Sequence, residues 1–278
     1  MPDIEWNKQT WDGSYDWQQR GEEWSETWGG SDMQWFGAIL PRIHHFVPTN
    51  RILELAPGYG RWTKFLKGLC SELEVVDLSA ECIDACKQRF RESSNIRYWI
   101  NDGRRLDMIR DASIDFCFTF DSLVHCEEEI ITCYLEQLSH KLAPDGVAFI
   151  HHSNIGTFPE LAQRREVTAG ERAVLRRLAL LKPLKRMGVL DSNAGCRATS
   201  MTSEKMRFLA AQYNLRCLAQ ETVNWGSKRA IDCFSTLVLV GSKWPAGEKI
   251  IENLGFMDEA ARLQRLSNLY GASRLFVR

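Results

Sequence analysis

Two acids and two glycines stand at spacings that suit a ribose-bearing, cationic ligand: Glu54, Gly58, Gly60 and Asp77. Gly58 and Gly60 flank Tyr59 between an apolar stretch and a helix-forming one. Glycines there let the backbone turn sharply and approach a ligand beside a helix N-terminus. Asp77 follows Gly58 by 19 positions (77 − 58). An acid at that place accepts hydrogen bonds from ribose hydroxyls. A dinucleotide would use the same frame, but Thr63 occupies the third small position of its fingerprint. Glu54 would also repel a pyrophosphate, whereas it suits an ammonium group.

A second set concerns proton transfer. His125, His151 and His152 follow strand-like runs, with Asp121 close by in sequence. Histidine titrates near neutrality and serves as a general base. Adjacent strand residues point to opposite faces, so one of His151 and His152 faces the site. His125 and His152 are the preferred bases, with His151 next. The plainer alternative is that they cap or brace loops. Asp121, His125 and His152 together would also make an oxygen- and nitrogen-rich divalent-metal site, although acids are sparse.

Alternating elements must position these residues. Strands are expected at 51–56, 73–77, 96–100, 114–120 and 147–151. Helices fall at 62–69, 80–92 and 127–142, the last stopped by Pro144-Asp145-Gly146. That alternation predicts an α/β, doubly wound parallel sheet. Residues 155–200 read as a helical insertion, and 203–213 as a helix. Strands near 215–223 and 231–241 form an antiparallel pair, which brings the sheet to seven strands. A terminal helix spans 249–270 and docks on its own domain or on a second chain as a homodimer. The organisation is therefore a cap at 1–47, a Rossmann-like domain at 48–243 and a C-terminal helix at 244–278.

Four motifs in this order resemble the class I S-adenosylmethionine-dependent methyltransferases. They are Glu54-Leu55-Ala56-Pro57-Gly58-Tyr59-Gly60, Asp77, Asn101-Asp102-Gly103 and Phe120-Asp121-Ser122. Leu142-Ala143-Pro144-Asp145-Gly146 matches the family's turn before the fifth strand, while Ala56-Pro57 departs from the commoner small pairs. The resemblance implies S-adenosylmethionine as cofactor and S-adenosylhomocysteine as product. It implies that Asp77 binds the ribose, that Asp102 contacts the adenine amino group, and that Phe120, Asp121 and Ser122 lie beside the methionine portion. Trp62, Leu78 and Gly103 join that cofactor set. Phe149 to Asn154, with Asp121 to His125, resembles bacterial sugar and natural-product O-methyltransferases. The implied reaction is O-methylation of a hydroxyl on a sugar, nucleotide-sugar or other small metabolite. The rivals are an N-methyltransferase of a small amine or peptide, a metal-assisted O-methyltransferase, a non-catalytic partner subunit and a nicotinamide-linked reductase.

Composition bounds the partners. Net charge is −1 over 278 residues, which offers no footing for nucleic acid. No apolar run reaches the length of a membrane span, and nothing at the N-terminus reads as a signal peptide, so a cytoplasmic protein is expected. The nine cysteines include no C-x-x-C pair and read as small buried hydrophobes. Residues 1–35 hold six of the ten tryptophans, with eight acids against two bases. That segment reads as an aromatic lid or as a packed seam. Between 164 and 186 stand Arg164, Arg165, Arg172, Arg176, Arg177, Lys182, Lys185 and Arg186. They would grip a phosphorylated or acidic acceptor, face solvent, or pair with the acidic N-terminus.

Overall fold

A computed structural model describes residues 3–17, 19–162, 174, 177 and 196–271. Eight strands form one sheet in the order β3-β2-β1-β4-β5-β7-β6-β8. They are β1 (Thr49–Leu55), β2 (Cys70–Asp77), β3 (Ile96–Ile100), β4 (Ile114–Thr119), β5 (Leu142–Ser153), β6 (Leu215–Val223), β7 (Asp232–Leu239) and β8 (Lys249–Asn253). Pairing is parallel from β3 to β5, and β7 runs antiparallel to both β5 and β6. This is the doubly wound sheet with its antiparallel pair, enlarged by one strand.

The extra strand corrects the sequence expectation. Lys249–Asn253 was expected to open a helix, yet it pairs parallel with β6. The Asn253 side chain then accepts from the Gly255 N–H at 3.0 Å, closing a turn before the helix starts.

The helices are α1 (Ile4–Gln9), α2 (Ser31–Gln34), α3 (Leu40–Ile43), α4 (Thr63–Leu66), α5 (Ala80–Arg89), α6 (Glu128–Lys141), α7 (Pro159–Ala162), α8 (Ser203–Gln212) and α9 (Phe256–Gly271). A π-helical stretch, Trp35–Ile39, joins α2 to α3, and Pro41 falls in the first turn of α3. Proline cannot donate to the preceding turn, and the irregular winding sits directly before Pro41. The short helices before Ser31 carry no sustained apolar period, and tertiary contacts hold them instead.

Alternate strand residues feed two cores. Ile52, Phe116 and Phe118 pack on one face with Trp28, Trp35, Ile39 and Phe256. Leu53, Cys117 and Ala148 pack on the other with Leu135 of α6 and Met206 of α8. Period-two alternation buried on both faces requires layers on both sides, which the helices supply. The rings of Trp28 and Phe256 meet at 4.9 Å, so α9 docks on its own domain beside the N-terminal segment. Cys82 and Cys86 share α5, and Cys117, Cys217 and Cys233 are buried in strands. No helix among the described residues is long and apolar enough to cross a membrane.

Candidate active site

A cavity opens at the carboxyl ends of β1, β2 and β4, where open α/β sheets bind ligands. It encloses about 1030 Å³ counting its open mouth. Its floor includes Gly58, Asp77, Leu78, Gly103, Phe120, Asp121 and Ser122. Its roof comes from the first 24 residues, through Ile4, Asn7, Trp11, Trp17, Gly21 and Trp24.

The glycine turn has a concrete reason for its composition. Gly58 has φ +56, and a Cβ there would lie 2.8 Å from the Trp17 ring. Gly60 has φ +80, and a Cβ there would lie 2.5 Å from the Phe90 ring. Two non-glycine residues also adopt left-handed backbone at strand ends bordering the cavity, Ala56 at φ +54 and Asp121 at φ +63. Such conformations persist where the surroundings over-determine them, and they cluster at functional sites.

Asp77 meets the backbone that folds around it. One carboxylate oxygen accepts from the Ser79 N–H at 2.9 Å and the other from the Gly58 N–H at 3.2 Å. Burial pushes its pKa up to about 6, against the pull of those N–H groups. Its oxygens retain acceptor capacity, so a ribose diol fits this position.

Several expected contacts fall elsewhere. Glu54 is buried at 1% exposure and does not line the cavity. Its Oε2 accepts from Thr63 Oγ1 at 2.6 Å, and its Oε1 has no partner. Burial pushes its pKa up to about 8, so the carboxyl is largely protonated at neutrality, unlike the ammonium-binding carboxylate expected from sequence. Asp102 is a turn residue: its Oδ1 accepts from the backbone N–H of Arg104 and of Arg105 at 2.9 and 2.8 Å. Gly103 beside it lines the cavity, as does Trp62.

The three histidines separate. His152 is fully buried away from the cavity, with Nδ1 2.8 Å from the Ser153 carbonyl and Nε2 2.7 Å from Ser235 Oγ. Burial pulls its pKa down to about 4. It is a structural histidine and not the base expected. His151 is equally buried. Its Nδ1 accepts from the Asp121 N–H at 3.0 Å, and its Nε2 stands 3.3 Å from Asp232 Oδ2. The His151 ring is packed among Phe120, Trp225 and Phe234, and the His152 ring, on the opposite face of β5, is held by Ser235, so neither reaches the cavity.

His125 alone of the three lines the cavity. Its Nδ1 stands 2.5 Å from the Cys196 carbonyl. A carbonyl only accepts, so Nδ1 carries the hydrogen and Nε2 keeps its lone pair. Desolvation by burial lowers its pKa, which favours the neutral ring. Trp11 and Trp6 pack beside it at 5.5 and 6.3 Å between centroids. Asn7 Nδ2 donates to the His125 carbonyl at 3.2 Å, which ties α1 to this turn. Among the described residues no group of three His, Cys, Asp or Glu side chains could hold a metal ion.

Sequence reasoning passed over Arg61 and Asn7. Arg61 is buried at the cavity, with Nη2 2.8 Å from Asp121 Oδ2 and its guanidinium 4.5 Å from the Trp62 ring. The only sequence signal was its place directly after Gly60. Asn7 and Trp11 are linked by a 3.1 Å side-chain bond at helical spacing, a pattern visible but not recognised. Among the basic residues between 164 and 186, all but Arg177 lie outside the described residues. The N-terminal acid Glu22 pairs instead with Arg89 at 2.9 Å and Lys64 at 3.2 Å.

Part of the sequence and the fold are similar to known proteins. Residues 52–146 match the family model described as a methyltransferase domain. A 66-residue stretch is 35% identical to ribosomal RNA small subunit methyltransferase A of Pseudomonas fluorescens, and the match covers 24% of this chain and 24% of that protein. The fold is similar to an S-adenosylmethionine-dependent methyltransferase from Clostridium acetobutylicum at TM-score 0.54 and 16% identity, over 77% of this chain and 92% of that one. It is also similar to a Pyrococcus horikoshii OT3 protein at TM-score 0.52 and 16% identity, over 83% and 95%. Residues 52–146 thus carry the match to a methyltransferase domain, and the fold of the described residues is one shared with an S-adenosylmethionine-dependent methyltransferase.

Proposed function

We propose that this protein moves the methyl group of S-adenosylmethionine onto a hydroxyl of a sugar or similar small metabolite, with His125 as general base. The hydroxyl oxygen bonds to the methyl carbon as the carbon–sulfur bond breaks. The bonding pair stays on sulfur as a neutral thioether, and the hydroxyl proton passes to His125 Nε2. The single observation behind this reading is the approach of His125 Nδ1 to the Cys196 carbonyl beside the cavity. The Cys196 carbonyl at 2.5 Å fixes hydrogen on Nδ1 and leaves Nε2 basic at the cavity. Asp77 and the glycine turn suit the adenosine part, and Arg61 offers a cation for a carboxylate. Trp11, Trp17 and Trp24 line the cavity with aromatic rings, a residue type that suits the C–H face of a sugar.

The competing acceptor is an amine, which needs no base once unprotonated. RNA is another, raised by the name of the ribosomal RNA relative. Net charge −1 gives it no electrostatic support. Transfer from labelled S-adenosylmethionine should be measured to panels of sugars, nucleotide-sugars, their amino counterparts and ribosomal RNA. His125→Ala should lower turnover of the best hydroxyl acceptor about 10²- to 10⁴-fold. Wild-type rate should fall as pH drops through the lowered His125 pKa, because only the neutral ring accepts a proton. A variant with wild-type rate and an unchanged pH profile would overturn the base assignment.

A further inference from the structure

Behind His125 lies a buried charge cluster whose members Arg197, Asp232 and His151 do not themselves line the cavity. Arg197 donates to both oxygens of Asp232, from Nε at 2.5 Å and from Nη2 at 2.6 Å. Asp232 is fully buried and Arg197 is 5% exposed. The same Asp232 faces His151 Nε2 at 3.3 Å, and His151 Nδ1 accepts from the left-handed Asp121 N–H. Burying such a pair brings little net stability, since desolvation offsets the attraction. A reason other than stability is therefore to be sought.

Neighbouring contacts supply one. Cys196, whose carbonyl holds His125 Nδ1, is joined directly to Arg197. The Ala198 N–H donates to the Val124 carbonyl at 2.9 Å, one residue before His125. Glu127 accepts from the Thr199 N–H at 3.2 Å and the Ser200 N–H at 2.9 Å. Residues 196–200 are thus stitched to the start of β7 on one side and to the His125 turn on the other. The ion pair pins the end of this strap next to the carbonyl.

We infer that Arg197 and Asp232 are positioning residues: their ion pair fixes the Cys196 carbonyl against His125 and so selects the tautomer with a basic Nε2. This inference rests on the reading of His125 as base, and it gives that reading its mechanical support. Arg197→Lys keeps the charge but loses the two-point fork, because an ammonium cannot match both carboxylate oxygens in that geometry. The carbonyl then gains freedom, and the ring is no longer held to one tautomer.

The test is long-range nitrogen–proton NMR of the imidazoles in the full-length, cofactor-free protein. His125 is assigned by its absence in His125→Ala. In the wild type, His125 should show one protonated Nδ1 and one lone-pair Nε2. Arg197→Lys should move both nitrogen shifts toward the averaged values of a free, exchanging imidazole. Glu127→Gln loosens the other end of the strap from a partly exposed position, and should move them the same way if Arg197→Lys does not fold. Shifts identical to wild type in a folded variant would overturn the inference. Because no acceptor is used, this readout is separate from the proposed activity. An inactive protein with the expected shifts would sink the function and spare the strap, and the reverse result would do the opposite.

Discussion

Glu54→Gln isolates a buried carboxyl that the fold keeps protonated. Its pKa lies at about 8 in the folded protein against 4.5 ordinarily, with burial the principal cause. The folded state therefore binds a proton that the unfolded state releases above pH 4.5. Stability contributed by this group is fully present below pH 4.5 and is lost as pH rises through 8. Each pH unit in that window costs about 1.4 kcal/mol, so the whole window is worth about 5 kcal/mol. Asp77, raised to about 6, adds a slope of the same sign at lower pH. Glutamine matches the shape, still accepts from Thr63 and cannot ionise. Denaturant unfolding of the cofactor-free protein from pH 5 to pH 9 should give similar stabilities at the acid end. The variant should become the more stable protein by several kcal/mol at the alkaline end. Parallel curves, or a variant weaker at pH 9, would refute the burial argument. Calorimetry with S-adenosylmethionine adds a second check. Since Glu54 does not line the cavity, the variant should hold cofactor within a few-fold of wild type, whereas a direct ammonium contact would cost about 1.5–3 kcal/mol.

Gly58→Ala forces a side chain into left-handed backbone and against the Trp17 ring, so unfolding free energy should drop by about 1–3 kcal/mol. The near-ultraviolet signal of the stacked Trp17–Tyr59 pair, 4.5 Å between centroids, should weaken with it, and an unchanged signal would count against that placement. Two tryptophans should part in behaviour. Trp28→Ala, at 0% exposure in the core, should lose about 3–5 kcal/mol, while Trp17→Ala should lose less and speed cofactor release in stopped-flow chase. Equal losses of stability with equal release rates would mean that both serve only as packing.

The sheet was legible because its signals are local. Apolar runs ending at Leu55, Asp77 and Thr119 pair in register as the alternation demands, and β6 has the span read from sequence. β8 was not legible. Ile250, Ile251, Leu254 and Met257 also fit a helical period, and pairing with β6 decided the matter. His125 was singled out by its place after a strand, and it lines the cavity. His152 was misassigned because strand alternation names a face, not what covers it. On its face the ring meets the Ser235 hydroxyl of neighbouring β7 and is fully buried. Asp102 stands in the expected motif, and its Oδ1 is taken up by its own turn. The roof residues lack a periodic signature, because the cavity they close is made by chain far away in sequence.

The charges around this cavity come in satisfied pairs. Asp121 is bound to Arg61, Asp77 to two backbone N–H groups, and Glu54 is neutral beneath the turn. A cation entering here therefore meets the faces of Trp11, Trp17, Trp24 and Phe120 more than any unpaired carboxylate. Cation–π attraction amounts to about 0.5–2 kcal/mol, less than a desolvated ion pair gives. For the proposed reaction that weakness is an advantage. The sulfonium loses its charge as the methyl group leaves, so any group holding that charge tightly would favour the ground state over the transition state and raise the barrier. Aromatic walls exclude water and orient the ligand while giving up little when its charge disappears.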